Sequence, residues 1–486
     1  MLTGRGRHVS GLGSYAAGDS EAYAAIDENE FRLVSTQPLS TFALDVDTAS
    51  YSNVRRFLRE GRLPPKDAVR IEELVNAFDY ADPRPMGELP FAVTTELAQA
   101  PWRKEHLLLR VGLAARAVDT ADLPPSNLVL LVDVSGSMSS ADKLPLLKRA
   151  LRLLVDELNE DDRIALVAYA GAAGLVLPST PCHRKTTILD AIERLSAGGS
   201  TAGGAGLQLA YDQVREHFIE GGINRVLMAT DGDFNVGPSS DAEMVQLIEE
   251  RRQEGSFLTV LGFGSGNLKD SKMEQLADHG NGQYAYVDSF LEARRVLVEQ
   301  LGGTLLTLAK DVKLQLEFNP ERIAAYRLIG YENRLLAVED FNDDSKDAGE
   351  LGAGLSVVAL YELVPVGADA GTNIPEVDPL RYQQATGEPR ADFADELLLV
   401  KLRYKQPDGD ESRLLTQVVR DTDGAPSDDL RFAAAVAAFG MLLRDSPHGG
   451  DFSWDDVAAL ARGARGDDPH GRRAELLTLV EAASSL

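Results

Sequence analysis

Oxygen-bearing side chains recur at alternate positions in Leu131-Val132-Asp133-Val134-Ser135-Gly136-Ser137-Met138. A carboxylate and two hydroxyls, with no sulfur or imidazole among them, suit a hard cation such as Mg²⁺, which takes octahedral oxygen coordination and keeps some waters. Gly136 lets the backbone fold tightly enough for the three oxygens to converge. Two further oxygens are candidates from distant stretches. Thr201 lies in Gly198-Gly199-Ser200-Thr201-Ala202-Gly203-Gly204, and Asp231 closes Arg225-Val226-Leu227-Met228-Ala229-Thr230-Asp231-Gly232. A bound ion could activate water for hydrolysis, yet no nucleophile–base pair is placed beside these residues by any motif. The plainer alternative is that Asp133, Ser135 and Ser137 form a polar turn capping the next helix.

Positioning five such residues requires a particular frame. Leu128–Val132 is an unbroken apolar run, too short for a helix, as in a parallel strand buried on both faces. Ile164–Tyr169, Arg225–Ala229 and Phe257–Phe263 are similar. Helical periodicity occupies 142–158, 186–196, 204–218, 240–253 and 271–279. The alternation over 127–302 predicts an α/β unit with a parallel sheet and helices on both faces. Ligands of such sheets bind outside the carboxyl ends of the strands, so all three candidate loops should meet at one edge.

The remainder divides by pattern. Residues 1–37 lack hydrophobic periodicity and are expected to be disordered. The stretch 38–85 predicts a small helical unit, with Asp47, Thr48 and Ser50 as candidate N-caps and Tyr51, Val54, Phe57 and Leu58 at helical spacing. Strands are expected over 86–126, a β-rich region over 303–425 and helices over 426–486. The acidic stretch Glu339–Glu350 reads as a solvated connection. The β segments before and after the α/β unit could pair into one sandwich carrying it as an insertion; two separate β pieces fit the pattern as well.

Composition narrows the partners. The 486 residues are 44% hydrophobic and carry a net charge of -27. A chain of this length suggests two to four domains at roughly 100–200 residues each. So acidic a surface repels phosphate backbones and anionic membranes, which argues against nucleic acid as a partner. The single cysteine, Cys182, precludes an intramolecular disulfide. No apolar run is long enough to span a bilayer. Met1 to Ala25 has no apolar core of a signal peptide and no Cys to carry a lipid, so a soluble protein is the default expectation. Other motifs are set aside. Asp231-Gly232-Asp233-Phe234-Asn235 begins like a calcium loop but has Val236 and Ala242 where Gly and Glu belong. Gly198–Gly206 lacks the Lys of a P-loop. Gly262-Phe263-Gly264-Ser265-Gly266 misplaces the serine of a nucleophile elbow. Asp45-Val46-Asp47 has no supporting phosphotransfer residues and reads as helix capping.

Asp-x-Ser-x-Ser, a Thr in a Gly-rich loop and Asp-Gly after a strand together resemble the metal-ion-dependent adhesion site of von Willebrand factor type A (VWA) domains. The resemblance implies a Rossmann-like fold. It also implies Ser135, Ser137 and Thr201 as direct ligands, with Asp133 and Asp231 acting through water. Mg²⁺ is the implied ion, with Mn²⁺ or Ca²⁺ as alternatives, and a protein partner's Asp or Glu is implied to complete the shell. A separate AAA+ ATPase is an alternative partner, as in chelatase-like systems. The flanks are similar to bacterial YfbK-like VWA proteins: Phe42-Ala43-Leu44-Asp45-Val46-Asp47-Thr48-Ala49-Ser50-Tyr51, Arg55-Arg56-Phe57-Leu58, Leu63-Pro64-Pro65, Arg70-Ile71-Glu72-Glu73-Leu74-Val75 and the stretch Asp270–Gly282. This similarity runs from about residue 38 to 486. Members are often envelope lipoproteins, and the chain departs from those in showing no leader with its Cys.

Overall fold

The computed structural model describes residues 21–87, 89–199, 203–232, 241–266, 268–368, 393–407, 409–421 and 424–486. At its centre the apolar runs become a six-stranded sheet. Its order is Tyr284–Val287, Phe257–Phe263, Ile223–Thr230, Ser126–Asp133, Arg163–Tyr169, Ala173–Pro181. All neighbours are parallel except the last pair. Alternate residues of Ser126–Asp133 feed two cores. Leu128, Leu130 and Val132 meet Leu147 and Leu151 of the helix Leu144–Glu157, whereas Val129 and Leu131 meet Leu207 of Gly203–Glu216 and Met273 of Asp270–His279. Burial on both faces is why these strands read as continuous hydrophobic runs. The structure adds the strands Ala173–Pro181 and Tyr284–Val287, and a helical stretch from Phe290 to Leu305. Ala173–Pro181 is an edge strand with Leu175 and Val176 exposed, so it lacks a buried strand's signature.

A two-sheet sandwich carries this unit as an insertion. One sheet has the order Arg32–Leu33, Ile323–Ile329, Ser356–Pro365, Arg103–Ala115, Phe91–Ala100. In the other, Thr307–Phe318 is flanked on one side by Leu39–Ala43 and Gly349–Gly352, and on the other by Glu396–Lys405, then Ser412–Arg420. Arg103–Ala115, before the insertion, pairs along eight residues with Ser356–Pro365, after it. Leu109, Val111, Val357 and Tyr361 of the first sheet pack on Leu314, Leu316, Val400 and Leu402 of the second. Helices from both ends of the chain, Ala49–Arg59 and Ile71–Asn76 with Asp428–Arg444, Trp454–Gly463 and Arg472–Ser484, share one core against Leu108, Val358 and Leu360 on the first sheet's outer face. Residues 21–37 correct the expectation of disorder. Phe31 is buried, Arg32–Leu33 pairs with Ala325 and Tyr326, Glu21 binds Arg56 at 2.8 Å and Asn29 donates to Gly330 O at 2.8 Å, so scattered tertiary contacts hold a stretch with no periodicity. Among the described residues no helix is long and apolar enough to cross a membrane.

Buried ion pairs join the helical layer and the sandwich to the α/β unit. Arg70 binds Glu73 and Asp270, the latter at 2.6 Å, and all three are buried. Arg55 reaches Asp288, Glu292 at 2.9 Å and Glu475 at 3.1 Å. Arg334 holds Asp278 at 2.8 Å and Asp45 at 3.3 Å. The capping role expected near Asp47 is not found. Thr48 occupies the N-cap without a capping bond, its hydroxyl accepting instead from Arg295, Asp47 accepts the Tyr284 amide at 2.8 Å, and Glu73 accepts the Ser50 amide at 2.7 Å. Asp45 and Asp47 thus serve a tertiary junction, which local sequence rules do not register.

Two outcomes are expected. Removing one partner of a buried pair strands the others, at about 3–5 kcal/mol, so Arg70→Met should lower stability by that order in chemical denaturation. Glu72 is buried with neither carboxylate oxygen hydrogen-bonded. Burial, reinforced by Glu332, pushes its carboxyl up to about 7. A folded-state value above the unfolded one means the native state holds the extra proton. That stability is fully present below the unfolded value and is lost as pH rises through about 7. Glu72→Gln should flatten the decline in stability between mildly acidic and mildly alkaline pH; an unchanged slope would refute the assignment.

Candidate metal centre

Two strand ends and one helix–helix loop at the carboxyl edge of the α/β sheet matter here. Ser126–Asp133 terminates in Asp133, whose side chain is fully buried. Its Oδ1 accepts the Ser135 amide at 2.9 Å and its Oδ2 accepts the Thr230 hydroxyl at 3.3 Å. The chain then turns through the short 3-10 segment Gly136–Ser139, which brings the Ser135 and Ser137 hydroxyl oxygens to 3.0 Å. Ser135 is buried while Gly136 and Ser137 are exposed, so the pair opens to solvent. An octahedral cation with bonds of about 2.1 Å places adjacent ligands roughly 3.0 Å apart. The two hydroxyls are hydrogen-bonded to each other at a separation that such a cation also spans, and the donors are all oxygen.

The second loop is tied to the first by backbone bonds. Gly136 N–H donates to Gly199 O at 3.1 Å, and Gly198 N–H donates to Val134 O at 2.8 Å. Thr201 itself lies outside the described residues. The third loop brings Asp231, fully buried, directly after Ile223–Thr230. Thr230, bonded to Asp133, links the two strand ends. The structure therefore brings Asp133, Ser135, Ser137 and Asp231 to one edge. Burial raises the Asp133 carboxyl to about 6, hydrogen bonds from Ser135 oppose that rise, and the Asp231 carboxylate adds to it. A carboxyl so placed gains from any nearby positive charge.

One such charge was not anticipated. Lys143, just before the helix Leu144–Glu157, is buried and its Nζ donates to Asp231 Oδ2 at 3.0 Å. Its aliphatic stem crosses Gly264, where an added Cβ would sit only 2.1 Å from Lys143 Cε. The glycine rejected above as part of a nucleophile elbow is therefore the bed of this lysine. A lone Lys between a turn and a helix carries no pattern; its position after the serine turn was the only available signal.

With fold and edge geometry in view, comparison with known proteins assigns the class. A von Willebrand factor type A domain model matches residues 127–299, and the model of the YfbK C-terminal region matches 303–486. A further von Willebrand factor model matches 17–110. The chain is thus a VWA-domain protein. It is 46% identical to the uncharacterized protein YfbK of Escherichia coli (strain K12) over 471 residues, 96% of this chain and 81% of that one. The chain belongs to the YfbK family. It is also 31% identical to the uncharacterized protein sll0103 of Synechocystis over 44% of this chain and 50% of the relative. A solved von Willebrand factor type A structure from Catenulispora acidiphila covers 79% of this chain and 89% of its own at 17% identity, with a TM-score of 0.43.

The Lys143–Gly264 packing yields a controlled test. Gly264 and Gly266 both have positive φ, at 74° and 89°, but a Cβ at Gly266 meets nothing within 4 Å. Gly266→Ala should cost only the backbone term of about 1–2 kcal/mol. Gly264→Ala must also expel Lys143 from Asp231 and should cost measurably more in denaturant unfolding. Equal losses would show that the lysine stem is not held there.

Proposed function

We propose that the chain is a metal-ion-dependent protein-binding module without catalytic activity. Mg²⁺ is the cation the oxygen donors suit best, Mn²⁺ and Ca²⁺ being the alternatives. Ser135, Ser137 and Thr201 bind it directly, Asp133 and Asp231 act through water, and an Asp or Glu of a protein partner takes the remaining position. The carrying observation is the hydroxyl pair 3.0 Å apart, open to solvent above two buried carboxylates.

Charge explains why the partner should be acidic. Of the charged side chains described at the edge, Asp133 and Asp231 contribute two negative charges and Lys143 returns one. A dication then leaves the loaded site with an excess positive charge, at low dielectric, facing water. A partner carboxylate neutralises it, and the ion's local field outweighs the dispersed negative charge of the surface. Lys143 on this reading weakens metal binding and strengthens partner binding.

Calorimetric titration of Mg²⁺ into the chelated full chain, followed by partner capture with and without chelator, tests both halves. Asp133→Ala with Ser135→Ala should abolish Mg²⁺ binding and the chelator-sensitive capture together. Lys143→Met should tighten Mg²⁺ by about tenfold, on the order of 1.4 kcal/mol, while weakening capture. Mg²⁺ binding that survives in the double variant would overturn the proposal.

A further inference from the structure

A second group of oxygens lies at the other end of the α/β sheet, against the sandwich. The strand Thr307–Phe318 pairs Ala309 with Leu351 and Val312 with Gly349, so Lys310 and Asp311 together oppose the single residue Glu350. This is a bulge, and Asp311 takes the left-handed conformation at φ 53° to complete it. The extra residue re-aims the Asp311 carboxylate to the side of Glu350. Asp347, from the acidic loop before the short strand Gly349–Gly352, joins them. Carboxylate oxygens of Asp311, Asp347 and Glu350 all lie within 4.8 Å of one another. Among the described residues this is the one group of three acidic, His or Cys side chains with that spacing.

The surrounding bonds leave the group incomplete. Lys405 Nζ donates to Asp311 Oδ2 at 2.7 Å, and Ala348 N–H donates to Asp311 Oδ1 at 3.2 Å. Arg252, from the helix Asp241–Gln253 of the α/β unit, donates to Asp347 Oδ2 at 2.6 Å. Glu350 has no such support: it is only 8% exposed and its Oε1 is buried without a hydrogen bond. Arg225 and Lys313 add positive charge nearby, yet no donor bonds Glu350 Oε1, and a buried oxygen left so is unfavourable unless a cation or a proton fills the gap. Asp311 and Asp347 also line a cavity of about 1000 Å³, together with Asn224, Phe257 and Thr307. A cation can reach Asp311 and Asp347 through it, bringing the waters it needs.

We propose that Asp311, Asp347 and Glu350 form a second cation site, of the calcium class, at the sandwich edge that faces the base of the α/β unit. Calcium accepts irregular oxygen shells at 2.3–2.6 Å, which span up to roughly 5 Å between opposite oxygens. Mg²⁺ would demand an octahedron that one bulge, one loop and one strand do not supply. Asn224 and Phe257 belong to the amino ends of the parallel strands, so this site lies at the opposite end of the sheet from Asp133 and is independent of the proposed partner site.

Ca²⁺ alone, titrated into the chelated full chain, tests the proposal. In a Ser135→Ala, Ser137→Ala background the chain should still bind one equivalent of Ca²⁺, and Ca²⁺ should raise its Tm. Adding Glu350→Gln should remove both effects. Asp347→Asn, at a half-exposed side chain, should weaken binding by about tenfold or more. The proposal is overturned if the background variant binds no Ca²⁺ and its Tm does not move, as expected were a proton to fill the gap. It is equally overturned if Asp347→Asn and Glu350→Gln bind as the background does. A failure confined to the serine pair would strike the other site and leave this one standing.

Discussion

A carboxylate taken out of water must find a positive charge or a proton, and this chain buries many of them. It has 76 acidic residues against 49 basic, so the arginines and lysines that go inside are shared. Two glutamates show the alternatives. Burial alone would raise Glu362, but His106 at 2.6 Å and Arg327 at 2.9 Å hold it down at about 2. Glu72 lacks any such bond and rises to about 7. The same accounting governs the proposed metal edge, where Asp231 has Lys143 and Asp133, among the described residues, takes hydroxyl and amide donors.

This constraint decides how the layers adhere. Apolar packing joins the terminal helices to the sandwich, whereas Arg55 and Arg70 of the helical layer and Arg334 of the sandwich bind carboxylates of the α/β unit. Each of these guanidiniums meets carboxylates from more than one layer. A hydrophobic seam would tolerate sliding; hydrogen-bonded ion pairs fix one register, because any displacement strands a buried charge. Arg70 reaches Asp270 at the start of a helix that packs beneath the sheet bearing Asp231. The orientation of the inserted unit on its frame is thereby set by a handful of directional contacts.

Much of this was legible in the sequence, and the reasons for the exceptions are physical. Strands buried on both faces announce themselves as apolar runs, and helices on such sheets by their periodicity. The oxygen pattern of Asp133, Ser135 and Ser137 is local, so spacing alone implied convergence, and the structure joins Asp231 to them through Thr230. The edge strand Ala173–Pro181 was missed because half its residues face water. Asp45 and Asp47 were read as caps because their partners, Arg334 and the Tyr284 amide, lie more than two hundred residues away. The stretches carrying the YfbK resemblance, Arg70–Val75 and Asp270–Gly282, turn out to be two sides of one ionic seam, but sequence gave no means of pairing them. Glu350, placed in a solvated loop by its acidic neighbours, is buried in a strand opposite a bulge.

On the proposed function, recruitment of an acidic partner by a negatively charged chain is self-defeating only if its charge is treated as uniform. Surface carboxylates are screened beyond roughly 8 Å at physiological salt, whereas a cation at the rim would act at contact distance with buried ligands behind it. The surrounding negative field then has a different use. It disfavours anionic ligands that cannot coordinate the ion, and leaves those that can. Selectivity of that kind needs a site whose net charge is small until the metal arrives, and the pairing of Lys143 with Asp231 supplies such a balance.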